Sequence, residues 1–314
     1  MDIIKLDTES DFNNQAGVVL VLGYFDGLHK GHQALFSQAR KIAKVLNLKI
    51  AVLTFPESPK IAFTKFTPDL LKHLSTKDDR YQMFEELGVD YLYLKDFTSK
   101  FAATRADDFI KDYLEKLNAQ VIVTGFDYSF GNERLGVDYL RKNISAKIVE
   151  VPAVTYPLES SENPDLTDKI SSTRIRQALS QGNISLVNSL LGYDFRIEGL
   201  VVHGDARGRT LGYPTANLVL TDSVHLPGEG VYVVDVIHKG EHKRAMASVG
   251  KNVTFNGEEL RLEVNIFDFA DDIYGEKLEI IWLERIRGMV KFDNIEELVK
   301  ALRSDEEKAR SWQK

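Results

Sequence analysis

The chain has 314 residues, 43% hydrophobic and 28% charged, with a formal net charge of −7. That length suits two domains of about 130–190 residues each, and the acidic balance disfavours a general phosphate-backbone binder, which needs clustered Lys and Arg. With no cysteine, disulfides, thiolate nucleophiles and Cys-ligated zinc are excluded.

Taken in chain order, Met1–Ser10 is acidic and lacks the basic segment and apolar core of a signal peptide. No apolar run approaches the roughly 18 residues of a membrane span. A cytoplasmic protein is expected, with no membrane, nucleic-acid or obligatory protein partner. Gly17–Leu22 is a continuous apolar run, as in a strand buried on both faces. Leu35, Ala39, Ile42, Ala43 and Leu46 then recur at helical spacing, and Lys49–Phe55 reads as a second buried strand. A helix from about Lys77 to Leu87 stops at Gly88, a left-handed cap, before a strand at Asp90–Leu94. Another helix, Asp107–Leu117, precedes strands at Gln120–Thr124 and Lys147–Val151. Strands alternating with helices imply a doubly wound parallel α/β sheet.

Beyond two short helices, Thr173–Ser180 and Ile184–Leu191, the period changes to two. Phe195–His203, Val231–His238, Arg244–Val249, Leu260–Asp268 and Lys277–Leu283 are separated by Gly-, Asn- and Asp-containing turns, which predicts an antiparallel β-barrel. Ile295, Leu298, Val299 and Leu302 make the apolar stripe of a terminal helix. The boundary is expected within Gly182–Gly192, giving domains 1–183 and 184–314 with different chemistries.

Gly23-Tyr24-Phe25-Asp26-Gly27-Leu28-His29-Lys30-Gly31-His32 leaves the first buried strand and opens the first helix. Ligands of an open parallel sheet sit there, where a helix N-terminus offers unpaired N–H groups and a positive dipole end to phosphate. Glycine lets the backbone come close, and imidazoles three residues apart can face one phosphate and stabilise developing charge. Gly23, Phe25, Asp26 and Gly31 would frame that site, with His29 and His32 as its catalytic groups. The same pair also suits surface or capping residues, or half a metal site. No covalent nucleophile is nearby, so direct attack of an acceptor phosphate on the α-phosphorus of ATP is the natural reaction. Ser172 and Thr173 at a helix start, with Arg176 in its first turns, can bind phosphate or serve as an ordinary cap with solvated arginines.

In the second half, His203–Asn217 is the densest motif. The Gly204-to-Gly208 spacing and Arg209 in place of Lys exclude a P-loop, but a loop with Gly204, Arg207, Gly208 and Arg209 can cradle phosphates, unless it is simply a hairpin with Pro214 in its turn. Thr215 and Asn217 carry hard oxygen donors suited to Mg²⁺. Glu263 alternates with Leu262 and Val264 and so faces away from them, toward a site or toward solvent.

GYFDGLHKGH, together with ISSTRIR, TFPESP and GFDYSFG, resembles the adenylyltransferase module of prokaryotic bifunctional FAD synthetases, within the superfamily of nucleotidyltransferases. GRTLGYPTAN, GEGVY and LEVNIFDF resemble riboflavin kinase. The resemblance covers nearly the whole chain, in the expected order, and implies a Rossmann-like nucleotidyltransferase domain followed by the barrel. It further implies ATP-dependent phosphorylation of riboflavin to FMN and adenylylation of FMN to FAD, with Mg²⁺. By the same resemblance, His29 and His32 stabilise the ATP phosphates, Ser172, Thr173 and Arg176 bind the triphosphate, and Asp127 lies near the FMN or adenine side. Thr215 and Asn217 would organise Mg²⁺, with Glu263 as general base on the ribityl 5′-hydroxyl. Three positions depart from the family pattern: Ser129 for Arg, Val253 for Pro and Asn265 for His. Two alternatives are an adenylyltransferase for another acceptor (nicotinamide mononucleotide, phosphopantetheine or a sugar phosphate), and a flavin-binding regulator without turnover.

Overall fold

Val18, Leu20 and Leu22 enter one apolar cluster while Val19 and Val21 enter another. That double burial is why the strand Val18–Leu22 reads as unbroken hydrophobic sequence. The computed structural model describes residues 1–6, 16–158, 166–204, 208, 211–251 and 260–314. By its contacts the chain forms two compact units, residues 1–72 with 77–171, and residues 73–76 with 172–314.

The first unit holds a six-stranded parallel sheet. Its strands are β1 (Asp2–Lys5), β2 (Val18–Leu22), β3 (Lys49–Thr54), β4 (Tyr91–Leu94), β5 (Ala119–Gly125) and β6 (Lys147–Val151). They lie in the order β1-β4-β3-β2-β5-β6. Helix α1 (Lys30–Leu46) packs Leu35, Phe36, Ala39 and Ala43 on one face; burying a large apolar side chain of this kind contributes about 1.5–3 kcal/mol. On the other face Phe109, Ile110 and Leu114 pack from a short helical turn and a following π-helical stretch, Ile110–Glu115, where the sequence predicts one regular helix. Helix α2 (Lys77–Glu86) ends as expected at Gly88, whose φ of 80° suits glycine, and Val89 N–H closes the cap on Phe84 O at 3.1 Å. Helices α3 (Ser99–Ala102), α4 (Ala106–Phe109) and α5 (Val137–Asn143) and a hairpin, β7 (Thr155–Pro157) with β8 (Thr167–Lys169), complete the unit.

The second unit opens with α6 (Ser172–Ser180) and α7 (Ile184–Leu191). Its strands are β9 (Arg196–Val202), β10 (Ala216–Leu220), β11 (Gly230–His238), β12 (Glu241–Lys251), β13 (Leu260–Ile266) and β14 (Lys277–Arg287). They form a closed antiparallel barrel in the order β10-β13-β12-β11-β14-β9. Strand β10 is absent from the sequence reading, which treats its residues as part of a loop. It starts two residues after Pro214, a position where proline does not interrupt the ladder, and supplies the strand that closes the barrel. Asn188 ties α7 to the barrel by donating to Trp282 O at 2.9 Å and accepting Phe195 N–H at 2.8 Å. The contacts therefore divide the chain ahead of α6, whereas the sequence expectation sets the boundary at 183/184.

The terminal helix α8 (Ile295–Ser311) is fixed to the barrel by charge as well as by its apolar stripe. Arg287 grips the Asp305 carboxylate at 2.8–3.1 Å, and the Asp305 side chain is only 2% exposed. Arg244 pairs with Asp235 and donates to the Ala309 and Trp312 carbonyls, a cation at the negative end of the helix. Removing one partner of a buried pair leaves the other uncompensated. Asp305→Ala should therefore lower the stability of the second unit by about 3 kcal/mol in urea denaturation, and a loss well under about 1 kcal/mol would contradict the anchoring role.

Candidate active sites

Strand order in the first sheet reverses between β2 and β5, and the loops that follow these two strands flank the crevice where such sheets bind ligands. Both carry residues singled out from the sequence. After β2 the backbone turns through positive φ at Phe25 (59°), Gly27 (76°) and Leu28 (37°), a conformation that costs a non-glycine residue roughly 1–2 kcal/mol. Burial holds it in place: Phe25 packs edge-on against Phe36, Phe84 and His32. Gly23 makes room for that ring, since a Cβ there would lie 2.6 Å from it. Phe25 and Asp26 are both buried, so Phe25 can offer a ligand only its backbone.

His29 is the N-cap of α1, and its Nδ1 accepts the His32 N–H at 3.3 Å. The capping alternative thus holds for His29, with imidazole in the place usually taken by Ser, Thr, Asn or Asp. His32 stacks on it with ring centroids 3.6 Å apart. Gly31 leaves room beside them: a Cβ there would lie 3.1 Å from the His29 ring, closer than ordinary van der Waals contact. His32 Nδ1 is buried without a hydrogen-bond partner. Burial, and after it the neighbouring His29, holds the His32 pKa well below the ordinary histidine value, so this ring is a neutral group at physiological pH.

After β5, Asp127 is exposed and pairs with Lys169 at 3.4 Å, while Lys169 Nζ stands 5.3 Å from the Phe126 ring centroid. Ser172, Thr173 and Arg176 lie in the first turns of α6 and belong to the second unit.

In the barrel, β10 lies between β9 and β13, and Asn217 stands directly opposite Glu263, with Ser248 on the far side of Glu263. Thr215 Oγ1 is 3.5 Å from Glu263 Oε2. Leu262 and Val264 are buried and Glu263 is half-buried on the opposite face, as the alternation requires. Gly204 presses against the Asn217 amide so closely that a Cβ would lie 2.1 Å from Nδ2. At Gly208 a Cβ would meet the Tyr213 carbonyl at 2.2 Å. Arg207, Arg209 and Val253 lie outside the described residues.

A family model for FAD synthetase matches residues 11–174 and one for riboflavin kinase matches residues 191–313. A bifunctional riboflavin kinase/FMN adenylyltransferase from Listeria monocytogenes is 39% identical, with 98% of this chain and 95% of that protein covered. The protein of the same description from Bacillus subtilis is 37% identical over 94% of this chain and 92% of its own. The chain belongs to the bifunctional riboflavin kinase/FMN adenylyltransferase family. It is an enzyme of FMN and FAD biosynthesis from riboflavin. A crystal structure described as a macrolide-efflux protein from Streptococcus pneumoniae is 48% identical, with a TM-score of 0.92 over the whole of both chains. Among the described residues no helix is long and apolar enough to cross a membrane.

The sequence reading does not foresee an aromatic cluster beyond the ends of the parallel strands. Phe55, Phe63, Phe97 and Phe101 pack together, mostly edge to face, with centroids 4.9–5.8 Å apart, and Phe63 is 55% exposed. The signal was available: Phe55, Phe97 and Phe126 each follow closely on the end of a parallel strand. Arg80 was also missed. Only 3% exposed, it donates to Pro56 O at 2.9 Å, stands 5.7 Å from the Tyr24 ring centroid, and keeps Nε and Nη1 without hydrogen-bond partners. It ties the loop after β3 to the one that carries the histidines.

Because the folded-state pKa of His32 lies below the unfolded value near 6.5, the unfolded chain takes up the proton first as pH falls. The associated stability is whole above about pH 6.5 and is lost as pH falls through the depressed pKa. Urea stability should therefore drop more steeply between about pH 7.5 and about pH 5 in the wild type than in His32→Gln; equal slopes would contradict the assignment.

Proposed function

We propose that the first unit carries adenylyl transfer and the second carries phosphorylation of riboflavin. The reading rests on one observation: the histidine pair at the mouth of α1 lies in the first unit, and Thr215, Asn217 and Glu263 lie in the second, each in a place suited to phosphate.

In the barrel, the proposed step is attack of the ribityl 5′-hydroxyl oxygen on the γ-phosphorus of ATP. Glu263 accepts the hydroxyl proton, the bond from the γ-phosphorus to the β,γ-bridging oxygen breaks, and ADP leaves with FMN as product. Gly204 and Gly208 border the phosphates; the phosphate role expected of Arg207 and Arg209 falls outside the described residues. Thr215 and Asn217 would hold Mg²⁺ with phosphate oxygens. The donor set fits: a hydroxyl and an amide oxygen are hard ligands. No group of three or more His, Cys, Asp or Glu able to hold a metal occurs among the described residues, so the substrate must complete the coordination, as is usual for Mg²⁺. When bound, the cation would neutralise charge on the transferring phosphoryl group.

In the parallel-sheet unit, an FMN phosphate oxygen attacks the α-phosphorus of ATP and pyrophosphate leaves, so phosphorus changes partners without a covalent enzyme intermediate. Neutral His32, with His29 at the helix mouth, donates hydrogen bonds to oxygens as charge develops. The backbone from Gly23 to Gly31 frames the phosphates. Exposed Phe63 and Phe126, with Asp127, suit the planar isoalloxazine and its polar edge. ATP as co-substrate accords with a cytoplasmic enzyme.

Incubation with riboflavin, ATP and Mg²⁺, followed by chromatography of the flavins, should yield FMN and then FAD; flavin bound but recovered unchanged would mark a regulator instead. Glu263→Ala should reduce FMN formation by about 10²–10⁴-fold and leave FMN-to-FAD conversion intact. His29→Ala and His32→Ala should each reduce FAD formation by about 10²–10³-fold and spare the kinase. Loss of both activities in any one folded variant would contradict independent sites.

A further inference from the structure

Thr215 reaches Glu263 only at the long limit of a hydrogen bond, 3.5 Å, so its placement depends on what holds the segment before it. That segment, Leu211–Thr215, precedes β10 and has no ladder of its own. Two of its backbone N–H groups, those of Leu211 and Tyr213, donate to Gly208 O at 3.1 and 2.9 Å. Two side chains hold it from other directions.

The first is Asn265. It lies two residues beyond Glu263 on β13, hence on the same face, is 6% exposed, and donates from Nδ2 to Pro214 O at 2.6 Å. A carbonyl can only accept, so the amide must present its nitrogen there. The peptide whose oxygen it grips is the one that leads into Thr215. The second is Tyr213. Its ring is buried with Met246, Phe267, Leu283 and Ala309 of α8, and its hydroxyl lies against Glu306 and Arg303 of the same helix. Helix α8 is itself held by Arg287 and Arg244.

We propose that Asn265 and Tyr213 are positioning residues of the phosphorylation site: from the barrel wall and from α8 they clamp Leu211–Thr215 so that Thr215 and Asn217 stand beside Glu263. The terminal helix is then a working part of the kinase. The proposal rests on the assignment of phosphorylation to this barrel.

The test uses full-length Asn265→Asp, which keeps the shape but sets a carboxylate oxygen against the Pro214 carbonyl. The clamp predicts a fall in kcat for FMN formation of about tenfold to 100-fold, an unchanged KM for riboflavin, weaker binding of Mg·ADP by calorimetry, and FMN-to-FAD conversion at the wild-type rate. Asn265→Gln, which restores a donor, should recover part of the loss. Tyr213→Phe keeps the ring and loses the hydroxyl, and should show a smaller effect of the same kind; it carries the test if Asn265→Asp does not fold. Wild-type kcat and Mg·ADP affinity in these variants, with Glu263→Ala inactive as a kinase, would overturn the clamp alone. Glu263→Ala that still makes FMN would instead overturn the assignment beneath it.

Discussion

The pairing of β10 with β9 on one side and β13 on the other is the constraint on which the second unit depends. It closes the barrel, and its register sets Asn217 opposite Glu263. A slip of one residue would turn Asn217 to the other face and leave the glutamate without its neighbour. The glycines around this pairing are steric requirements: at 204 and 208 any side chain would strike the Asn217 amide or the Tyr213 carbonyl. The pair of Arg287 with the buried Asp305 carboxylate belongs to the same construction, because it seats the helix against which Tyr213 packs.

For the first unit the proposed anion site would work by other means. The chain as a whole carries a net charge of −7, so phosphate there would be met by directed donors. Strand β2 delivers the chain to the mouth of α1 through a strained turn, and the apolar packing of Phe25 sustains that strain. Two stacked imidazoles stand at the helix mouth: His29 caps it by accepting the His32 N–H, and His32, with its Nδ1 buried, is held neutral. A neutral ring can stand against its neighbour without charge repulsion and still donate a hydrogen bond to phosphate.

Much of this was legible in the sequence where one physical signal dominated. Buried parallel strands read as apolar runs, barrel strands as alternation, and Gly88 as a left-handed cap. The failures have equally specific causes. Strand β1, Asp2–Lys5, is short and mostly exposed, so it carries no hydrophobic pattern and was considered only as a possible leader. Strand β10 is hidden because its Asn217 and the preceding Pro214 and Thr215 carry a chemical motif, and such a motif reads as a loop. Helix α6 looks like a continuation of the α/β pattern, and the expected boundary at 183/184 leaves it with the first domain, whereas the contacts group it with the barrel, as the boundary already has α7. Arg80 was invisible because a lone arginine in a helix gives no sign that it will be buried under the loop after β3.

The central claim is that one polypeptide cleaves ATP at two different phosphorus atoms in two separate places. Incubation with riboflavin and ATP labelled either at the γ- or at the α-phosphate, with label traced into separated FMN and FAD, tests it most directly. The account predicts γ-label in FMN that persists into FAD, and α-label in FAD alone. Label from the α-phosphate in FMN, or FAD formed from riboflavin without γ-label, would contradict it.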